Sequence, residues 1–375
     1  MYKRKHLKGS ILKTKLIYPF IINLFLNIPG IFSLSAQNID YSGYVSTIGS
    51  ELRYKPVTNY KYETDISVRQ RNNLTYYTSD KLTFHLEFQE QYSSYISEND
   101  FKIKADRFYG SYMNNNWEVD LGRQRVNWGR TLIWNPNDIF NTFSFYDIDY
   151  PERSGSDALR LIHSHGMASS SEIVVKYVHD ELSAAFLTKF NKYGYDFQFL
   201  GGYMNNSDLT AGLGWEGNIG PIAFRGEGTW YYTINNKYSE INHSSCFLGT
   251  LSLDYSINSR WKVQSEVLYN GPKYLTPISE VSTLISSAPS SSKSLSFSEY
   301  NVYTGISYIP NAIITANIST IYYTSENSWF IMPDIEISLL QDLNLGIILQ
   351  HFSLEINGKK NNIDDLFIRL KYYFK

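Results

Sequence analysis

Five arginines and five carboxylates crowd one stretch of this 375-residue chain. Between Leu121 and Arg160 stand Arg123, Arg125, Arg130, Arg153 and Arg160, with Asp138, Asp147, Asp149, Glu152 and Asp157 among them. A guanidinium fork can hold two carboxylate oxygens at once. Such a set either braces neighbouring elements or lines a polar passage with fixed charge, and structural ion networks imitate functional ones. Both readings stay open at this level. The stretch also holds Pro136, Pro151 and many aromatics, and long structured connections usually have a function. We read residues 128–156 as a loop folded inward. Asn135 would cap a short helix with Pro136 in its first turn, Asn137 to Asn141 forming its body, while the charges hold the plug and line the narrowest point.

Other chemistry is thinner. His163-Ser164-His165, close to Ser169, Ser170 and Ser171, suggests a nucleophile and a base, but no complete set of nucleophile, base and orienter is visible. The two histidines could take a surface metal, yet a third ligand is missing. Solvated turn residues are the plainer reading. Gly201, Gly202, Gly226 and Gly228 form no phosphate loop; glycine in strands more often permits bends or close packing. Cys246 is alone, so no intrachain disulfide forms. We therefore expect no catalytic residue, no metal, no cofactor and no enzyme activity.

The elements that must position the charges are strands. At the C-terminus Leu366, Ile368, Leu370, Tyr372 and Phe374 alternate with Arg369 and Lys371, which puts the two sets on opposite faces. Leu82 to Gln89, Trp261 to Val267 and Leu343 to Gln350 repeat the period. Alternation alone also fits a two-sheet sandwich. Connection lengths argue against that: about eighteen strands (range 16–18) leave long connections at 54–62, 128–156, 233–244, 271–296 and 356–361, all on one side, and short turns on the other. The 32 Tyr and 7 Trp suit interfacial girdles. After residue 35 no apolar run reaches the roughly 20 residues a spanning helix needs. The expected fold is all-β, a transmembrane antiparallel up-and-down β-barrel with an inturned loop, occupying 37–375.

Residues 1–36 read as a signal peptide, with six basic residues, an apolar stretch from Leu16 to Leu34 and the small pair Ser35-Ala36 before Gln37. Its removal leaves 28 basic against 36 acidic residues, no surplus that would suggest nucleic acid.

Phase complicates the arginines. Strict alternation from Trp117, Val119 and Leu121 points Arg123 and Arg125 at lipid, where charge costs roughly 2–4 kcal/mol near the midplane. Either Gly122 marks a bulge that turns them inward, or they lie above the hydrocarbon at the outer rim. Arg69 and Arg71 are cleaner inward candidates.

The succession of Gly122-Arg-Gln124 with Trp128-Gly129, the Asn135-Pro136 turn, and Pro151-Glu-Arg153 before Asp157 and Arg160 resembles porin-like outer-membrane barrels of the alginate-export type and their uncharacterised relatives in Bacteroidetes-like bacteria. The resemblance implies a barrel of this size whose inner arginines and inturned loop select an anionic or polar solute, with a constriction involving Arg123, Arg125 and Arg160. The small number of basic lumen candidates and the net acidity argue against alginate itself. The sequence thus predicts a channel in the outer membrane of a Gram-negative bacterium, passing small polar or anionic solutes or saccharides, its partners being membrane lipid and the barrel-assembly machinery. The alternative is a non-conducting barrel in surface polysaccharide assembly or attachment.

Overall fold

A computed structural model describes residues 38–54, 61–94, 101–141, 145–146, 148, 155–235, 245–271, 291–324, 327–356 and 359–375. The leader at 1–36 and Asp147, Asp149, Glu152 and Arg153 lie outside them. The first strands are β1 (Ile39–Tyr54), β2 (Lys61–Tyr77), β3 (Leu82–Ser93), β4 (Phe101–Asn114), β5 (Trp117–Gln124) and β6 (Ser156–Gly166). There follow β7 (Ser169–Val178), β8 (Glu181–Lys192), β9 (Tyr195–Met204), β10 (Asp208–Ile219), β11 (Ile222–Thr233) and β12 (Ser245–Ser256). The last are β13 (Trp261–Asn270), β14 (Tyr300–Tyr308), β15 (Ile314–Tyr323), β16 (Ser328–Leu340), β17 (Leu343–Ile356) and β18 (Lys359–Phe374).

Each strand pairs antiparallel with its neighbours in sequence, and β1 pairs with both β2 and β18, so the 18-stranded sheet closes on itself. Closure leaves the sheet no open edge, which is what permits strands to cross hydrocarbon. No helix among the described residues is long and apolar enough to cross a membrane. Their outward faces carry side chains that water would reject: Phe108 is 67% exposed, Leu121 65% and Ile368 52%. Inward positions opposite them are polar, as at Asp120 beside Leu121 and Gln198 beside Phe199, both buried. A bulge between β3 and β4 at Glu87 and Phe88 leaves Asp106 as the extra residue, and it turns to the inside to meet Arg71.

Turn chemistry fixes the register between strands. The two-residue connections His179-Asp180 and Tyr193-Gly194 have both residues at positive φ, the conformation that matches the strand twist in a tight hairpin. Asn205 and Asn206 do the same in the connection from β9 to β10. Asparagine tolerates this left-handed region better than most residues.

Candidate functional site

The backbone of residues 125–141 makes no ladder, so its N–H groups need other acceptors. Two glutamates on the barrel wall supply them. Glu227 on β11 accepts from the backbone N–H of Arg130 and Thr131 on one carboxyl oxygen and from Asn137, at 2.9 Å, on the other. Glu266 on β13 accepts from Leu132 at 2.7 Å, Ile133 at 3.3 Å and Trp134 at 2.8 Å. Both side chains are buried, at 3% and 0% exposure. Each carboxyl group sits in a nest of main-chain donors. The expected helix over Asn137 to Asn141 is absent. Pro136 and Asn137 instead form a single turn closed by Asp138 N–H donating to the Asn135 carbonyl at 3.0 Å, and no helical ladder follows it.

Side chains complete the seating. Trp128 donates its indole N–H to Glu172 on β7 at 2.7 Å and meets Phe140 edge-on at 5.2 Å. Asn137 reaches the Leu213 carbonyl of β10 and receives the Thr229 hydroxyl of β11. Further along, Phe145 packs on Tyr303 and Phe330, Tyr146 pairs its hydroxyl with that of Tyr323, and Gln350 on β17 donates to the Tyr146 carbonyl at 3.0 Å. Burial pushes the Tyr146 phenol up to about 12, so it stays neutral at physiological pH. A segment that leaves the wall between β5 and β6 therefore touches inner faces from β7 round to β17. It sits among two hydrophobic clusters, one around Trp128, Leu187 and Leu248, the other around Trp134, Phe330 and Phe352.

A second segment joins it. Residues 291–298 lie inside, with Lys293 forming a buried pair with Asp208 on β10 at 2.6 Å and Leu295 packing on both clusters. Asn270 ties it down by donating to the Ser296 carbonyl and accepting from Leu295 N–H.

The residues singled out in sequence separate into three groups. Arg130 and Arg160 face inward. Arg130 reaches Gln198 at 3.0 Å and Glu216 at 3.4 Å, joining a charged string of Glu216, Arg225, Asp254 and Lys262. Arg160 forks onto Glu172 at 2.7 and 3.0 Å and approaches Asp120. Their partners are wall carboxylates, not the loop carboxylates expected. Arg69 and Arg71 also face inward and are buried: Arg71 bridges Asp106 and Glu87, Arg107 shares Glu87, and Arg69 donates to Gln91. Asp138 is buried at the turn.

Arg123 is the correction. Gly122 has φ of +122°, yet the pairing of β5 with β4 and β6 runs through it without a shift. No bulge reverses the phase, so Arg123 stays on the outward face near the strand end farthest from the turns. There it forks onto Asp157 of β6 at 2.7 and 2.8 Å, with both side chains exposed. This pair braces strands at the rim and does not line the interior. Arg125, just past β5, remains exposed within electrostatic reach of Glu87 and Arg107, and desolvation with the like charge of Arg107 lowers its pKa. At Gly122 a Cβ would run into the Phe108 carbonyl oxygen. Gly122→Ala is expected to cost about 1–3 kcal/mol through that backbone conformation alone, read as a lower urea midpoint of unfolding in detergent.

Glu172, Glu227 and Glu266 were missed. The available signal was phase: Glu266 occupies the polar face opposite Val263 and Val267, and a lone carboxylate amid a strand demands a partner in the lumen.

No protein-family model matches this chain, and no curated protein sequence does. Solved structures do. OccAB4 of Acinetobacter baumannii superposes with a TM-score of 0.56 at 8% identity, covering 90% of this chain and 99% of that one. OccK11 (OpdR) of Pseudomonas aeruginosa gives 0.58 at 9%, covering 89% and 96%. The outer membrane protein opdK of Pseudomonas aeruginosa gives 0.59 at 7%, covering 89% and 98%. At such identities the likeness is one of fold.

Proposed function

We propose that this chain is an outer-membrane channel for small polar or anionic solutes, narrowed by the segment between β5 and β6. The observation that carries this is the seating of that segment on Glu172, Glu227 and Glu266, which places folded protein across a polar interior at a strand number where barrels otherwise leave a lumen wider than side chains fill. The similarity in fold to an outer membrane protein supports the location. Delivery would follow cleavage of the 1–36 leader and insertion by barrel-assembly machinery. In this reading Arg130, Arg160, Asp138, Arg69, Arg71 and the rim residue Arg125 shape the passage, with Asp149, Glu152 and Arg153 as further members, while Arg123 and Asp157 brace the wall. Of the alginate-export resemblance this retains the inturned loop and inward arginines.

The second reading, a non-conducting barrel in surface polysaccharide assembly or attachment, is favoured by one fact: two segments pack inside against the wall, burying Trp128 of the first together with Leu248 of β12. Planar bilayers decide. Discrete conductance steps from the purified chain support the channel, and reversal potentials across a salt gradient give the sign of the preferred ion. A folded protein that produces no steps supports the closed barrel.

A further inference from the structure

His163 lies on β6 opposite Ser171 of β7, and His165 is the residue that a bulge between Ser164 and Gly166 leaves out of the ladder; both rings sit on the outward side, His163 against the exposed Trp117 and His165 against His163. The phase of His163 follows from its neighbours: Leu159 on the same face is 47% exposed, whereas Arg160 on the other face holds the inward Glu172. The two rings are not loose. His163 lies against Trp117 of β5 with centroids 4.2 Å apart, and its Nδ1 stands 3.1 Å from Nδ1 of His165. The other nitrogen of His165, Nε2, is 2.8 Å from the Ser171 hydroxyl of β7, which in turn is 3.4 Å from that of Thr188 on β8. Three strands thus fix two imidazoles whose Nδ1 atoms converge.

From this we infer that His163 and His165 form a chelating site for a borderline divalent ion, zinc, copper or nickel, on the outer wall at the turn end of the barrel. Nitrogens about 2.0–2.1 Å from a tetrahedral zinc are about 3.3 Å apart, close to the spacing already present. Binding through Nδ1 requires the hydrogen of His165 on Nε2, and there the Ser171 oxygen accepts it. A ligating histidine held by a hydrogen bond on its second nitrogen is the usual supporting arrangement. Imidazole selects zinc, copper and nickel over magnesium and calcium, which take oxygen ligands. No third histidine, cysteine or carboxylate joins the pair among the described residues, so water oxygens complete the coordination. Ser171, His165 and His163 also follow the order of nucleophile, base and orienter. Acyl transfer further needs N–H donors aimed at an oxyanion, and the main chain around Ser171 is paired with β6 and β8, which leaves metal binding as the chemistry the geometry serves.

This site is independent of the channel reading, since it faces away from the lumen. The test is titration of zinc chloride into the full mature chain in detergent, freed of any affinity tag, by calorimetry. One ion per barrel is expected, weakened at least tenfold by His163→Ala and by His165→Ala and less by Ser171→Ala, with magnesium chloride giving no heat. Copper bound to the wild-type protein should show two imidazole nitrogens in its electron paramagnetic resonance spectrum, a signature that folding defects in a variant would not imitate. Zinc binding unchanged when His163→Ala and His165→Ala are combined, or absent from the wild-type barrel, overturns the proposal.

Discussion

Glu227→Ala combined with Glu266→Ala is expected to release the inturned segment and raise single-channel conductance several-fold, while the barrel still resists unfolding by detergent at room temperature. The two carboxyl groups together accept six backbone N–H groups, from Arg130, Thr131 and Asn137 and from Leu132, Ile133 and Trp134. A buried donor left without a partner costs about 1–3 kcal/mol. Part of that is offset because the variant no longer buries two carboxylates, whose desolvation is itself expensive. A net loss of about 3 kcal/mol still moves the ratio of seated to released segment by about a hundredfold. The ladder is not touched, because Glu227 pairs through its backbone with Gly214 and Thr250, and Glu266 with Ser252 and Tyr303, whatever their side chains. Trypsin supplies an independent reading. Arg130, held now against Gln198 and Glu216, should become a cleavage site in the double variant. Glu266→Gln should fall between, since one end of an amide accepts and the other opposes the N–H of Leu132 or Trp134. Wild-type conductance together with continued protection of Arg130 would remove the two glutamates as the anchors.

The wall was legible in the sequence and its contents were not. Period-two alternation depends only on which solvent each face meets, so the apolar set of Leu366, Ile368 and Leu370 was readable without any knowledge of neighbours, and eighteen strands emerged with boundaries close to those observed. The turns at Asn115 and at Asn205 and Asn206 were likewise local matters of left-handed backbone. The seating of residues 125–141 is a different kind of fact. It rests on pairs such as Trp134 with Glu266 and Thr131 with Glu227, separated by 132 and 96 residues, and no local pattern encodes them. The expected helix at Asn137 did not form either: Asn135-Pro136 is a sound start signal, yet it opens only one turn, with Asp138 N–H donating to the Asn135 carbonyl and Asn137 N–H to the distant Glu227. Arg123 shows the reverse. Strict alternation placed it outward, and the ladder through Gly122 kept it there; the resemblance that placed it at a constriction was the weaker guide. The arginine pairings were half readable, since charge count predicts that partners exist, whereas strand register decides that Arg160 meets Glu172.

Deletion of residues 131–150 should have the largest effect on conductance and the least on assembly. It removes the contacts to Glu266, the Trp134 ring, Phe145 and Tyr146 at once, leaving 125–130 and 151–155 to connect β5 with β6. Those strands end opposite each other, Gln124 paired with Ser156, so eleven or so residues close the gap without strain, well beyond the two to five that hairpins commonly use. Cavities left beside Leu268, Phe330 and Phe352 open to the lumen and fill with water, so the loss there is the transfer energy of those side chains, about 25 cal/mol for each Å² of apolar surface returned to water. Heat-resistant mobility on gels should persist because the ladder and the outer apolar face are intact. The deletion and the double glutamate variant should then agree in direction, the deletion being the larger because Tyr146 and Phe145 no longer hold the far side on β14 to β17. If instead the second segment, fixed by Lys293 on Asp208, is the narrower obstruction, conductance will stay at the wild-type level in the deletion and rise only when Lys293→Ala is added. That outcome would take the constricting role away from the β5 to β6 connection and give it to residues 291–298.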